Sequence, residues 1–269
     1  MSFVFEYGWI WAIGLAGFLI LWPISLWRRD SSIVDFWWGP GFGAMAVALW
    51  VAIGMPLDAY TLLILVPLMV WSARLGVQLG LRRLREGTED PRYQEMRALR
   101  SPGWWWKSLL LVFVLQSVLQ FLIGAGILAG LALAPTVTAG WFAYGLAAIA
   151  ILAAIVEAVS DYQLDVYRRT VPHGGLLTTG LRRIVRYPSY TAEIVFWTAM
   201  SLLSVGAGIW WAPISAMILA LLLRYVSGVT ILEDRLARTR PDFAAYQQQV
   251  PALVPTFSRR TGGQSTPAE

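Results

Sequence analysis

Carboxylates and guanidinium groups stand inside the apolar runs of this 269-residue chain, and their spacing gathers them onto helical faces. Glu157 and Asp161 are four residues apart, and Asp165 and Arg168 continue that face. Arg74, Gln78 and Arg82 repeat the spacing in an earlier run, and Ser189, Tyr190 and Glu193 share a face of a later one. Arg224 and Ser227 stand near the end of the last. An ionisable group in hydrocarbon costs roughly a few kcal/mol at least, so it faces a protein interior or an inner cavity and marks function. The chemistry open to this set is hydrogen-bond or proton donation by a buried carboxyl and the gripping of an anion by arginine. Arg74 reads as either the interhelical counter-ion of Glu157 or Asp161 or a ligand contact. Arg82, Arg168 and Arg224 read as phosphate contacts or as side chains snorkelling to the interface. Gln116 and Gln120, also four apart, read as interhelical hydrogen bonds. Glu193 is the residue that a structural role explains least, because it lies within a span and beside an arginine-dense loop.

The elements that must position these groups are membrane helices. The chain is 57% hydrophobic with a mean hydropathy of +0.59. A bilayer core of roughly 30 Å needs about 20 apolar residues per helix. Runs of that kind fall near 3–27, 33–54, 57–80, 106–133, 140–164, 188–207 and 209–227. The apolar N-terminus reads as a first span, without the basic region and cleavage site of a removable signal. Arginines crowd alternate loops, whereas the connections at 54–58, 134–140 and 204–208 hold no basic residue. The positive-inside rule then puts the N-terminus outside and the C-terminus in the cytoplasm. The fold class is therefore all-α, a polytopic membrane bundle of about seven transmembrane helices. It forms one domain over 1–257, with a disordered tail at 258–269. Tryptophans 9, 27, 104–106, 141, 210 and 211 sit near the expected interfaces. Thr230 to Gln249 reads as an amphipathic cytoplasmic helix broken near Pro241.

Several functions are excluded. There is no cysteine and only one histidine, so a thiolate or histidine-rich metal site is ruled out. The net charge of +5 lies in short loops, which does not make a nucleic-acid surface. Of 21 basic residues only Lys107 is lysine, a bias that suits a phosphorylated ligand and equally the positive-inside pattern. Gly39-Pro-Gly-Phe-Gly lies in an apolar span without the strand–turn–helix setting of a dinucleotide loop, so its glycines read as close helix packing.

The string Gly180-Leu-Arg-Arg-Ile-Val-Arg-Tyr-Pro-Ser-Tyr-Thr-Ala-Glu193 resembles the G-x-W-x-x-S-R-H-P-N-Y-x-G-E signature of the steroid 5-alpha-reductase superfamily. Ser32-Ile-Val-Asp-Phe-Trp-Trp-Gly39, Glu89-Asp-Pro-Arg-Tyr-Gln-Glu-Met-Arg97 and Ser227-Gly-Val-Thr-Ile-Leu-Glu-Asp-Arg-Leu236 resemble its bacterial branch of unknown function, the DUF1295-like proteins. The resemblance covers nearly the whole chain. It implies a seven-span enzyme of the bacterial inner membrane that uses NADPH to reduce a carbon–carbon double bond conjugated to a carbonyl. It implies Glu193 as the group meeting the substrate carbonyl. Glu157, Asp161, Arg168, Ser189 and Arg224 are implied as cofactor contacts, the last at the cofactor phosphate. His173-Gly-Gly-Leu resembles the family's glycine loop. The chain departs from the signature at Tyr187, Ser189 and Ala192, and Trp71 aligns with the tyrosine that assists the glutamate. Tyr190 or Tyr187 is the available substitute. Nothing selects a steroid ring, so the expected substrate is lipid-like. Two other readings stand beside the reductase. One is an S-adenosylmethionine-dependent methyltransferase of the isoprenylcysteine or phospholipid type, with Glu233-Asp234 as its acidic pair. The other is a non-catalytic lipid-binding relative.

Overall fold

An apolar run in hydrocarbon satisfies its backbone by coiling into a helix. The computed structural model, which describes residues 6–171 and 175–255, is built from helices with no strand among those residues. The tail expected at 258–269 and His173 lie outside the described residues. In chain order the helices are α1 (Ile10–Arg28), α2 (Trp38–Ala52), α3 (Ala59–Glu86), α4 (Pro91–Arg100), α5 (Trp104–Thr136), α6 (Trp141–Thr170), α7 (Pro188–Gly206), α8 (Pro213–Leu221), α9 (Val229–Thr239) and α10 (Phe243–Gln249). Helix α5 contains a π-helical stretch at Leu109–Val114, and a second one at Leu222–Val226 directly continues α8.

Five stretches, Ile10–Arg28, Ala59–Arg83, Trp104–Thr136, Trp141–Thr170 and Pro213–Thr239, are long and apolar enough to cross a membrane. The chain is an all-α polytopic membrane bundle. The segments expected as the second and sixth spans fold differently from the other five. Asp30 accepts a hydrogen bond from the Ser32 backbone N–H at 3.0 Å and starts a 3-10 turn over Ser31–Trp37, which leaves α2 only 15 residues. At about 1.5 Å per residue that helix is shorter than the bilayer core is thick. Helix α7 has 19 residues but carries Ser189, Tyr190, Thr191 and Glu193 in its first turns. Both are held against longer helices, α2 on α3 and α7 along α6, the most extensive pairing in the bundle.

Close approach without a hydrophobic drive requires small residues at the crossings. A Cβ on Gly39 would stand 2.7 Å from the Ser72 carbonyl oxygen, and one on Gly43 2.5 Å from Ser72 Oγ. Ser72 Oγ donates to the Gly39 carbonyl and accepts the Gly43 N–H at 3.1 Å. Gly126 fills the same role between α5 and α8, where a Cβ would lie 2.8 Å from Ala212 Cα. Gly126→Val should therefore force the two helices apart and lower stability by about 1–3 kcal/mol, read as an earlier unfolding transition in detergent.

Beyond α8 the chain turns back across the arginine-rich end of the bundle. The amphipathic stretch expected at 230–249 forms as α9 and α10, with its break at Arg240–Asp242. Arg186, 6% exposed, fixes this return by an ion pair with Glu233 at 2.5 Å and hydrogen bonds to the carbonyls of Gln247 and Val250. The Arg186 and Tyr187 N–H groups donate to Pro251 and Ala252, and Thr191 Oγ1 donates to Leu253. The loop that begins α7 is thus clamped from outside. Trp141 (92% exposed) and Trp210 (80%) face outward, whereas Trp104 is buried and donates to Ser31 Oγ at 3.3 Å.

Candidate functional site

Helix α7 presents Tyr190, Glu193 and Trp197 on one face, spaced three and four residues apart, and that face lines a cavity of about 690 Å³. Its inner wall is an aromatic box. Trp71 stacks on Phe196 at 5.3 Å and meets Trp197 edge-on at 5.3 Å, while Phe42 lies 4.8 Å from Trp197. Leucines of α5 and α8 supply much of the remaining wall. The volume lies within the roughly 300–1,000 Å³ usual for small-molecule sites. The Glu193 carboxyl makes no hydrogen bond or ion pair among the described residues, and its partial exposure is to this cavity.

Behind Glu193 lies a charge cluster that explains why it has no counter-ion. Arg74 on α3 contacts Glu157 of α6 at 2.5 Å and Asp161, one turn further, at 3.0 Å. It also donates to Gln78 at 2.6 Å. Arg74 Nε is buried without a hydrogen-bond acceptor. Trp71 Nε1 donates to the other Glu157 oxygen at 2.9 Å. Glu193 is within electrostatic reach of all three groups, so three carboxyls face one guanidinium. Two are bonded to it. The third is left for the cavity.

The far wall holds a polar chain that sequence reasoning did not assign to the site. Tyr93 Oη donates to Asp35 at 3.0 Å and accepts from Gln116 Nε2 at 2.9 Å, while Gln116 Oε1 accepts from Trp38 Nε1. Asp35, Tyr93, Gln116 and Trp38 all line the cavity. Burial, with the Asp35 charge next in weight, pushes the Tyr93 phenol well above its usual range, so it stays a neutral donor. The segments Ser32–Gly39 and Glu89–Arg97 therefore interlock: Glu89 also accepts the Ser31 N–H at 2.6 Å, and the Asp90 N–H donates to Ser32 Oγ at 3.1 Å.

The profile of one family, described as "Protein of unknown function (DUF1295)", matches residues 21–250. The chain belongs to the DUF1295 family. No curated protein and no solved structure matches it. The match takes in both interlocked segments, the charge cluster and the whole cavity wall of this DUF1295 protein.

Of the residues singled out from the sequence, Glu193 and Tyr190 line the cavity of the DUF1295 fold, and Glu157, Asp161, Arg168, Ser189 and Arg224 do not. Glu157 and Asp161 hold Arg74, so the counter-ion reading of Arg74 is realised with both acids at once. Ser189 Oγ lies 3.0 Å from Ser160 Oγ and ties α7 to α6. Arg168 is exposed in the last turn of α6. Arg224 lies over the Tyr225 ring at 5.2 Å. Tyr190 stacks on Tyr187 at 5.8 Å. Gln120 donates to the Trp37 and Trp38 carbonyls at 3.0 and 2.8 Å, an interhelical bond as expected. Glu233, one of the acidic pair at 233–234, is bound to Arg186 and Gln247. Trp197 was missed, although its place four residues after Glu193 was a readable signal.

A second group of buried donors lies in the loop before α7. The Arg182 guanidinium makes no ion pair among the described residues, donates from Nη1 only to the Arg186 carbonyl at 2.8 Å, and has Nε buried without a partner. Tyr187 Oη is likewise buried without a partner. Burial pulls the Arg182 pKa down and pushes the Tyr187 phenol up. Asp161 and Tyr190 are in electrostatic range of Arg182.

Proposed function

We propose that this chain is an integral-membrane, NADPH-dependent reductase of a conjugated carbon–carbon double bond in a lipid-like substrate. The observation that carries the reading is Glu193, a carboxyl without a partner among the described residues at the wall of an apolar cavity. When hydride reaches the β-carbon of an enone, negative charge grows on the carbonyl oxygen, and a positioned hydrogen-bond donor stabilises it. Glu193 is the group placed to donate there. Tyr190 stands one turn before it on the same cavity face. Trp71, Trp197 and Phe42 exclude water and strengthen that bond.

The residues present fit an anionic dinucleotide. Buried polar atoms without partners carry a desolvation penalty that a ligand can relieve. Arg182 Nε and Tyr187 Oη are such atoms, close to Ser189 and Asp161 at the arginine-rich end. These four, with Arg168 and Arg224, would hold the cofactor, which when bound supplies the hydride. The arginine-dense end then faces the cytosol by the positive-inside rule.

Purified protein in detergent should bind NADPH and convert a lipid enone to a product two mass units heavier, read by nucleotide fluorescence and mass spectrometry. Alanine at Arg168, Arg182 or Arg224 should each weaken NADPH binding by about 1–3 kcal/mol, the loss of one charge-assisted hydrogen bond. Unchanged affinity in all three variants, or S-adenosylmethionine retained in place of NADPH, removes the reading.

A further inference from the structure

We propose that the cavity is loaded sideways from the bilayer through a gap between α5 and α8, and that its occupant is a lipid with one acyl or isoprenoid tail. The two helices are joined by hydrogen bonds where Gly126 meets Ser215. Gly126 N–H donates to Ser215 Oγ at 3.1 Å, and Ser215 Oγ reaches the Leu122 carbonyl at 3.3 Å. From that junction toward the arginine-rich end the cavity lies between them, with Leu115 and Leu119 on one side and Leu222 and Val226 on the other. Each helix carries its π-helical stretch there, over Leu109–Val114 and Leu222–Val226. A wider turn of this kind displaces the following side chains from the regular helical stripe and is a frequent mark of a functional site.

Five large apolar residues lining this cavity are also exposed: Leu99 (75%) on α4, and Leu111 (40%), Leu115 (49%), Val226 (58%) and Ile231 (39%). The last four form an apolar rim on two membrane-crossing stretches, Trp104–Thr136 and Pro213–Thr239. The charged residues of the mouth, Arg92, Glu95 and Arg100, all belong to α4 at one end of it. Such a mouth is apolar where lipid tails would meet it and polar where headgroups would. The volume of about 690 Å³ is that of a single small-molecule site, which admits one tail. That the head is a neutral carbonyl rests on the reductase reading; the tail and its route do not.

The test is photolabelling of the full chain in phosphatidylcholine vesicles with a long-chain alcohol carrying a diazirine in its tail, without nucleotide. Adducts should map to 111–123 and 219–226. They should fall several-fold in Leu119→Trp, which fills the cavity, and in Leu115→Lys, which places a charge on the exposed rim and leaves the core intact. Labelling at Ile20, 64% exposed on α1, should stay constant as the internal reference. Adducts confined to outward-facing residues such as Ile20, or cavity adducts indifferent to both variants, would overturn the proposal. Cavity labelling in a protein that binds no NADPH would leave this inference standing and remove only the reductase reading.

Discussion

Arg74→Ala should lower the stability of the bundle by about 3–5 kcal/mol, the loss expected when one partner of a buried ion pair is removed. The guanidinium is 15% exposed and is shared by Glu157 (4%) and Asp161 (17%). Deleting it leaves two carboxylates one turn apart on α6, beside the Glu193 carboxyl. Their mutual repulsion acts where little water screens it. Trp71 would still donate to Glu157, which is too little to offset a net negative charge. The measurement is the unfolding midpoint in detergent. Combining Arg74→Met with Glu157→Gln and Asp161→Asn should recover most of the loss, because a neutral set has nothing left uncompensated. A single variant as stable as the wild type, or a triple variant no better than the single, would show that the cluster is solvated and does not hold α3 to α6.

That cluster was legible because membrane charge obeys a strict rule. Arg74, Glu157 and Asp161 stand in apolar runs at helical spacing, so they had to find partners inside the bundle. The same rule marked Glu193. What the sequence could not convey is adjacency between distant segments. The Tyr93–Asp35 bond joins residues 58 apart and the Trp38–Gln116 bond residues 78 apart, and none of the four reads as unusual on its own. Arg182 was hidden for the opposite reason: in a loop with Arg183 and Arg186 it looked like one more solvated arginine, whereas Arg183 is exposed, Arg186 is paired with Glu233, and Arg182 has a buried Nε without a partner. The π-helical stretches left no trace, since Leu109–Val114 continues the apolar run around it and Leu222–Val226, with Arg224, reads as an ordinary end of a span. The start of α2 was readable in retrospect, because Asp30-Ser-Ser carries the side-chain cap that turned the chain before Trp38.

Glu193→Gln should slow reduction of an enone by about 10²–10⁴-fold, the usual worth of a positioned acid, while the affinity for NADPH and the unfolding midpoint stay unchanged. Glutamine keeps the volume of the side chain, so the cavity and the aromatic box survive. Because Glu193 is bonded to no protein group among the described residues, its replacement breaks no internal contact. The loss should therefore appear in kcat and in kcat/KM together, as for an interaction made mainly in the transition state. Tyr190→Phe should cost far less, since Tyr190 flanks the carboxyl from the preceding turn and its ring stacking on Tyr187 is retained. Equal turnover in Glu193→Gln and wild type, with NADPH bound normally in both, would move the chemistry to another group on the cavity wall. The neutral Tyr93 donor opposite would then be the residue to replace.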